Sequence, residues 1–213
     1  MVVRGLLAFT RPRVAVSALL CAGALASWAI LEARNLQVGA LDPGAPELRA
    51  DSRYNQDNQF IISNYQASSD VFVFMVETPA GQCVNYQTLR KVEELEWRLR
   101  QLPGVDGTSS IAGVARRVNV GMNEGFLKWN ELPPNRPMIN AAANRSPRDL
   151  FNATCELLSV FVYLQDHKAQ TLSGVVSTVE DFTQEFNDEQ ARFIMAAGNA
   201  GIESATNIVV KRA

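Results

Sequence analysis

Three cysteines, one histidine and a thin scatter of carboxylates are the residues here whose chemistry could go beyond packing. Cys21 lies inside the apolar stretch VAVSALLCAGALASWAIL, where it serves as a small hydrophobe. That leaves Cys83 and Cys155, which can bond to each other in an oxidising compartment. The bridge would close a loop of about 70 residues, with a chain-entropy contribution of roughly 4 kcal/mol at most. Two unpaired buried thiols are the alternative. His167, in QDHKAQ between a strand pattern and a helix pattern, reads as a solvated turn residue or cap rather than a general base. Asp149 and Asp166 have no carboxylate partner at a useful spacing. Trp97, Trp129 and Phe126 could line a ligand cleft, with packing in the core as the expectation. Arg116 and Arg117 read as a solvated helix face. A single histidine and three cysteines make no zinc-ligand pattern. No phosphate-binding, dinucleotide, metalloprotease or nucleophile-elbow motif occurs. No catalytic, cofactor-binding or metal residue is therefore expected, and the chain reads as no enzyme.

The elements that must position these residues start with the apolar segment. From Val14 to Leu31 eighteen residues carry no charge, between Arg11 and Arg13 on one side and Glu32 and Arg34 on the other. At about 1.5 Å rise per residue this makes roughly 27 Å of helix, just enough for a bilayer core of about 30 Å. Ala24-Leu25-Ala26 fits a signal-peptidase site, so a cleaved secretion signal is the rival. The run continues past that site through Trp28, Ala29, Ile30 and Leu31, and Trp28 stands where an interfacial aromatic belongs. Arg4, Arg11 and Arg13 put the positive excess at the N-terminal end, which predicts a cytoplasmic N-terminus and an exported body. A formal net charge of −2 over 213 residues argues against a nucleic-acid partner. The lipid bilayer is the partner this segment implies.

Residues 36–69 read as a connector, with a turn at Asp42-Pro43-Gly44 and a short helix from Tyr54 to Tyr65. DVFVFMVE (70–77) has apolar residues on both alternating faces and predicts a central strand. In residues 86–102, Leu89, Val92, Leu95, Leu99 and Leu102 recur every three or four positions, which predicts one buried helical stripe. Glu94 with Arg98 and Glu96 with Arg100 are expected as ion pairs on the wet side. GVDGTSSI suggests a shorter strand. The pattern then repeats, with a strand at 156–165, a helix at 169–186 and a strand at 191–197. Strand–helix–strand occurring twice predicts a split βαβ, or ferredoxin-like, sandwich in an α+β domain over 70–200. Residues 112–154 form an insert that carries function or covers the open face of the sheet. Asn199 and Gly201 suggest a turn, and 201–213 read as the start of a helix leading to a further span.

The succession LQVGALDPGAPELRADSRYNQDN, SSDVFVFMVETPAGQC, LPGVDGTSSIAGVARRV, NEGFLKWNELPPN, CELLSVFVYLQDHKAQT and AAGNAGIESATNIVVK resembles the resistance–nodulation–division (RND) superfamily of exporters, and within it the MMPL-type permeases. The likeness covers nearly the whole chain in consistent order. It implies a retained transmembrane helix within residues 1–35, then one periplasmic loop of porter type, in a bacterial inner membrane. It further implies a part of a proton-driven exporter that handles substrate and cannot transport alone. The partners it implies are the remaining membrane helices and the second periplasmic loop, with a homo-oligomer or a periplasmic adaptor as further candidates. No functional residue of the family carries over, because its proton relay lies in central membrane helices. A stand-alone, membrane-anchored periplasmic sensor or ligand-binding module is the alternative.

Overall fold

The computed structural model describes residues 11–33, 38–41, 44–45, 48–65 and 68–212. The expectations placed on Arg4, Arg34, Asp42, Pro43 and Ala213 lie outside them. The described chain divides into two compact units, 1–38 and 39–213.

The first unit holds helix α1, Pro12–Ala33, 22 residues with none buried. Its two serines satisfy themselves within the helix. Ser17 Oγ donates to the Val14 carbonyl at 3.0 Å and Ser27 Oγ to the Gly23 carbonyl at 2.8 Å. Such back-bonding removes the hydroxyl's demand for water. Among the described residues, this is the one helix whose length and composition suffice to cross a membrane.

The second unit opens with α2, Arg53–Asn64, capped by Ser52, whose Oγ accepts from the Asn55 N–H. Four strands follow: β1 (Asp70–Glu77), β2 (Val105–Ser109), β3 (Leu157–Leu164) and β4 (Arg192–Ala197). They form one antiparallel sheet in the order β2-β3-β1-β4. β1 is first in sequence yet interior in the sheet, with Phe74 opposite both Val160 and Met195. Its interior position explains why both of its faces are apolar. Phe72, Phe74 and Val76 enter the core alongside Leu158, Val160, Val162 and Leu164 of β3. β2 lies at an edge, is polar (VDGTS) and bulges between Val105 and Gly107.

Helix α3 (Tyr86–Arg100) and helix α6 (Ala169–Phe186) supply the other side of the core. Leu89, Val92, Leu95 and Leu99 of α3 are fully buried, as are Leu172, Val175, Val179 and Phe182 of α6. Burying each such side chain is worth about 1.5–3 kcal/mol before the entropy of ordering it. A charged seam joins the two helices on their wet side. Arg98 pairs with Glu94 at 2.9 Å and Glu185 at 2.8 Å while lying over the Phe182 and Phe186 rings. Lys91 donates to the Phe186 carbonyl and to Asp188, placing a cation at the C-terminus of α6.

The insert contains α4 (Ile111–Met122), α5 (Arg136–Ala143) and two short 3-10 turns, Leu127–Trp129 and Arg148–Leu150. It does not cover the open face of the sheet. α4 packs on α3 and α5 on α4, and Ile111, Ala112, Ala115, Ile139, Ala142 and Leu150 join the same core. The helical layer is thereby widened, and Val71, Met75, Phe161 and Tyr163 on the opposite face stay partly exposed.

Helix α7 runs Asn199–Arg212, so it begins before the position the sequence suggests, and the turn is made by Gly198. Gly198 has φ 82°, and a Cβ there would run into the Val71 carbonyl oxygen. Asn199 then mimics a strand partner for the start of β1. Its Oδ1 accepts from the Val71 N–H at 2.9 Å, and its Nδ2 donates to the Ser69 carbonyl at 2.8 Å. Ala200, Gly201 and Ser204 are buried, so the first turns of α7 belong to the sandwich.

Two glycine substitutions should therefore act oppositely. Gly198→Ala is expected to destabilise by about 2 kcal/mol or more, from left-handed backbone and the clash with Val71. Gly174→Ala, inside α6 with nothing within 4 Å of the added Cβ, is expected to stabilise by about 0.5–1 kcal/mol. Urea denaturation of both variants measures the difference; equal midpoints would remove the constraint placed on Gly198.

Candidate functional site

The most deeply buried charged side chain among the described residues, Glu96, lies at the seam between α3 and α4. Glu96 follows Val92 by four residues and precedes Leu99 by three, which places it within the buried stripe rather than on the wet side with Arg100. It is 1% exposed. Among the described residues neither carboxylate oxygen has a well-aligned hydrogen-bond donor. The nearest cation is Arg116, 3.7 Å away on α4. Burial raises the Glu96 pKa above its ordinary 4.5, opposed by the nearby Ser110 hydroxyl, the Arg116 and Arg100 guanidiniums and the Thr108 hydroxyl. Ser110 and Thr108 offset the burial in part, and desolvation remains the largest influence on the carboxyl.

Arg116 is consequently no solvated helix residue. Its guanidinium bridges Glu96 to Glu93 at 3.4 Å, and Glu93 accepts from Arg90 at 2.7 Å. The chain of charges runs from buried Glu96 through partly buried Arg116 and Glu93 to exposed Arg90. A shallow cleft of about 430 Å³ opens over it, walled by Trp97, Asn130 and Glu131. Arg117, by contrast, is exposed as expected.

A larger cleft of about 630 Å³ lies between α2 and the β3–α6 turn. Leu48 and Ile62 give it an apolar floor, and Asn58, Gln59, Gln165, Asp166 and Lys168 give it polar walls. Much of that polarity serves the fold. Asn55 holds Ala45 and Arg49, Asn58 Oδ1 accepts from Ser69 Oγ, and Gln165 donates to Asp106 at 2.8 Å. Asp166 accepts from the Thr171 hydroxyl at 2.6 Å and the Lys168 N–H at 3.1 Å, fixing the entry to α6. Such a mixed lining suits a small polar ligand with an apolar edge.

His167 lies beside this cleft yet turns away from its wall. It is partly buried, with Nδ1 3.1 Å from Asp70 Oδ2. The reading of a solvated turn residue is thus corrected: this pair fastens the β3–α6 turn to the first residue of β1. Among the described residues no hydroxyl or thiol is hydrogen-bonded to the other ring nitrogen, so the pair is not extended into a nucleophile triad. Asp149 sits apart, in the 3-10 turn Arg148–Leu150.

The aromatic residues are placed against expectation as well. Trp97 is 56% exposed, and Phe126 and Trp129 are exposed too, so none of the three is core packing. Trp97 and Trp129 instead border surface clefts. Cys83 and Cys155 are bonded to each other, with their Cα atoms 5.0 Å apart. Around them the β1–β3 pairing is prolonged by Thr78 N–H to Glu156 carbonyl at 2.8 Å and Cys83 N–H to Cys155 carbonyl at 3.1 Å. The bridge staples the turn before α3 to the exit of the insert. Cys21 is free and exposed. Among the described residues no group of three or more His, Cys, Asp or Glu could hold a metal ion.

The signal for Glu96 was present in its helical position among leucines and valines. Glu93 and Arg116 had no such signal, because their partnership is made between helices that only the tertiary fold brings together. No protein-family model matches this chain, and no curated protein is significantly similar to it.

Because the native Glu96 pKa is raised, native Glu96 holds a proton that the unfolded chain has released once pH exceeds about 4.5. Its contribution is full below that value and is lost as pH rises through the raised one. Glu96→Gln, which keeps the shape without the charge, is expected to match the parent near pH 4 and to exceed it by about 1 kcal/mol at neutral pH. Denaturant titrations across that range measure this, and a constant offset at all pH values would count against it. Reduction of Cys83–Cys155, or paired replacement by serine, is expected to cost about 2–5 kcal/mol. An unchanged midpoint under reductant would contradict the stapling role.

Proposed function

We propose that this chain is a membrane-anchored piece of an RND-type, MMPL-like exporter, and that residues 39–213 contribute porter surface outside the cytoplasm. The observation that carries the reading is the strand order β2-β3-β1-β4 with helices α3 and α6 as the two crossovers. That order is the pattern of a split βαβ, ferredoxin-like sandwich, which is what the resemblance implies for a porter unit. Helix α1, 22 residues long and uncharged from Val14 to Leu31, supports anchorage. In this reading the N-terminus is cytoplasmic, the domain is periplasmic, and α1 lies in the bacterial inner membrane.

The mechanism is mechanical. A porter domain moves substrate by rocking as a rigid body against its neighbours, which opens and closes a path between them. The domain is tied together at several points, which suits that motion. A single core spans sheet, helices and insert, the Cys83–Cys155 bridge ties the insert to β1 and β3, and the Arg98 and Lys91 pairs tie α3 to α6. The membrane helices and second periplasmic loop of the exporter supply the proton-driven step, so this chain is not transport-competent alone. A second reading is favoured by the 630 Å³ cleft: an anchored periplasmic sensor or ligand-binding module needs one span and one such cleft.

Reading the coding DNA beyond Ala213 separates the two. An in-frame continuation or adjacent frame encoding several apolar spans with charges inside them is expected; unrelated sequence after a stop would favour the binding module. Topology is tested by tags at residue 2 and near residue 130. External protease is expected to remove the second and spare the first, and both tags on one side would overturn the placement.

A further inference from the structure

Between α4 and α5 the chain runs NEGFLKWNE, and the fold spends buried polar groups on holding this stretch outward. Glu124 and Gly125 both take left-handed backbone, φ 57° and 79°, a conformation that a side chain such as Glu124 resists. They turn the chain off the end of α4, and the Gly125 N–H returns to the Val120 carbonyl at 2.9 Å. Buried Asn119 then fastens the far side of the turn. Its Nδ2 donates to the Trp129 carbonyl at 2.9 Å and the Glu131 carbonyl at 3.1 Å. Its own two oxygens accept from Asn123 Nδ2. On this fixed frame Leu127 is 80% exposed and Phe126 57%, with Met122 and Trp129 exposed beside them. The Lys128 ammonium lies 5.9 Å from the Phe126 ring centroid and 5.4 Å from that of Trp129.

We propose that the Phe126–Trp129 tip is a bilayer-contact site that seats shallowly in the headgroup region of a zwitterionic membrane. Size favours lipid over protein. A standard protein interface engages about 20–30 residues a side, whereas this tip offers three apolar side chains from the turn and Met122 from the end of α4. Shape agrees, because a projecting turn needs a matching concavity in a protein but none in a fluid bilayer. Composition agrees as well, since aromatic rings with a lysine ammonium beside them belong at the membrane–water boundary. Charge sets the lipid class. Lys128 is flanked by Glu124 and Glu131, so the tip has no basic excess for anionic headgroups, and apolar insertion drives the contact. The inference rests on the anchored reading only in that the anchor keeps a bilayer within reach of the domain.

The test uses the full chain with Cys21→Ser and Leu127→Cys, labelled at residue 127 with an environment-sensitive fluorophore and reconstituted in phosphatidylcholine vesicles without reductant. Emission is expected to shift to the blue, and spin-labelled lipids carrying the quencher near the headgroup should quench it at least about twofold more than the same label at exposed Gln184. Both effects should survive high salt. Equal quenching at the two sites would overturn the proposal, and so would quenching abolished by salt. A blue shift that appears without lipid and grows with protein concentration would assign the tip to a second copy and overturn it too. Carbonate extraction of the same vesicles judges the anchor separately. A chain that washes off refutes the anchored reading, while the quenching measured before the wash still decides the tip.

Discussion

The pairing of β1 on both of its edges is the constraint from which the rest of the domain follows. The strand is met first along the chain, yet its partners lie far downstream: Phe74 faces Val160 on one side and Met195 on the other. Each contact closes a long loop, and such closure costs conformational entropy before any contact returns it. The chain meets that cost with local devices. Helix α3 brings the chain back across the sheet before β2, α6 does so before β4, and the Cys83–Cys155 bond shortens the longest loop. Asn199 and His167 then close the open end of β1, one through its backbone groups and the other through Asp70.

Charge is handled differently at the two seams of helix α3. Toward α6 the pairs of Arg98 and Lys91 are partly solvated and lie beside aromatic rings, where they add modestly to packing that would hold without them. Toward α4, Glu96 is taken out of water with no well-aligned hydrogen-bond donor among the described residues and with Arg116 at 3.7 Å. Leucine would pack there at lower cost. The retained carboxylate makes the fit of the insert against the sandwich sensitive to a proton.

The polar and apolar surfaces are equally uneven. The sheet's open face keeps Val71, Met75, Phe161 and Tyr163 only partly exposed, whereas the insert presents Phe126 and Leu127 openly. Buried Asn119 serves that presentation with its whole side chain. A buried asparagine satisfied by the backbone of an exposed hydrophobic turn stabilises a surface feature rather than the core.

Periodicity along the chain determined the elements. An alternating run of valine and phenylalanine, and leucines at steps of three and four, can bury themselves only as an interior strand and as one-sided helices, so β1, α3, β3, α6 and β4 were legible to within two or three residues. The apolar stretch of α1 was legible from length alone. Helix α7 was placed late, because its start depends on Gly198 passing close to Val71, a neighbour 127 positions away in sequence. The wet-side reading of Glu96 and Arg116 and the buried reading of Trp97, Phe126 and Trp129 failed for one reason. Residue type says what a side chain prefers, and only the packing of α4 and its turn against α3 says what it meets. Where burial follows from local spacing, the sequence suffices; where it follows from which surfaces are brought together across long loops, the tertiary structure decides.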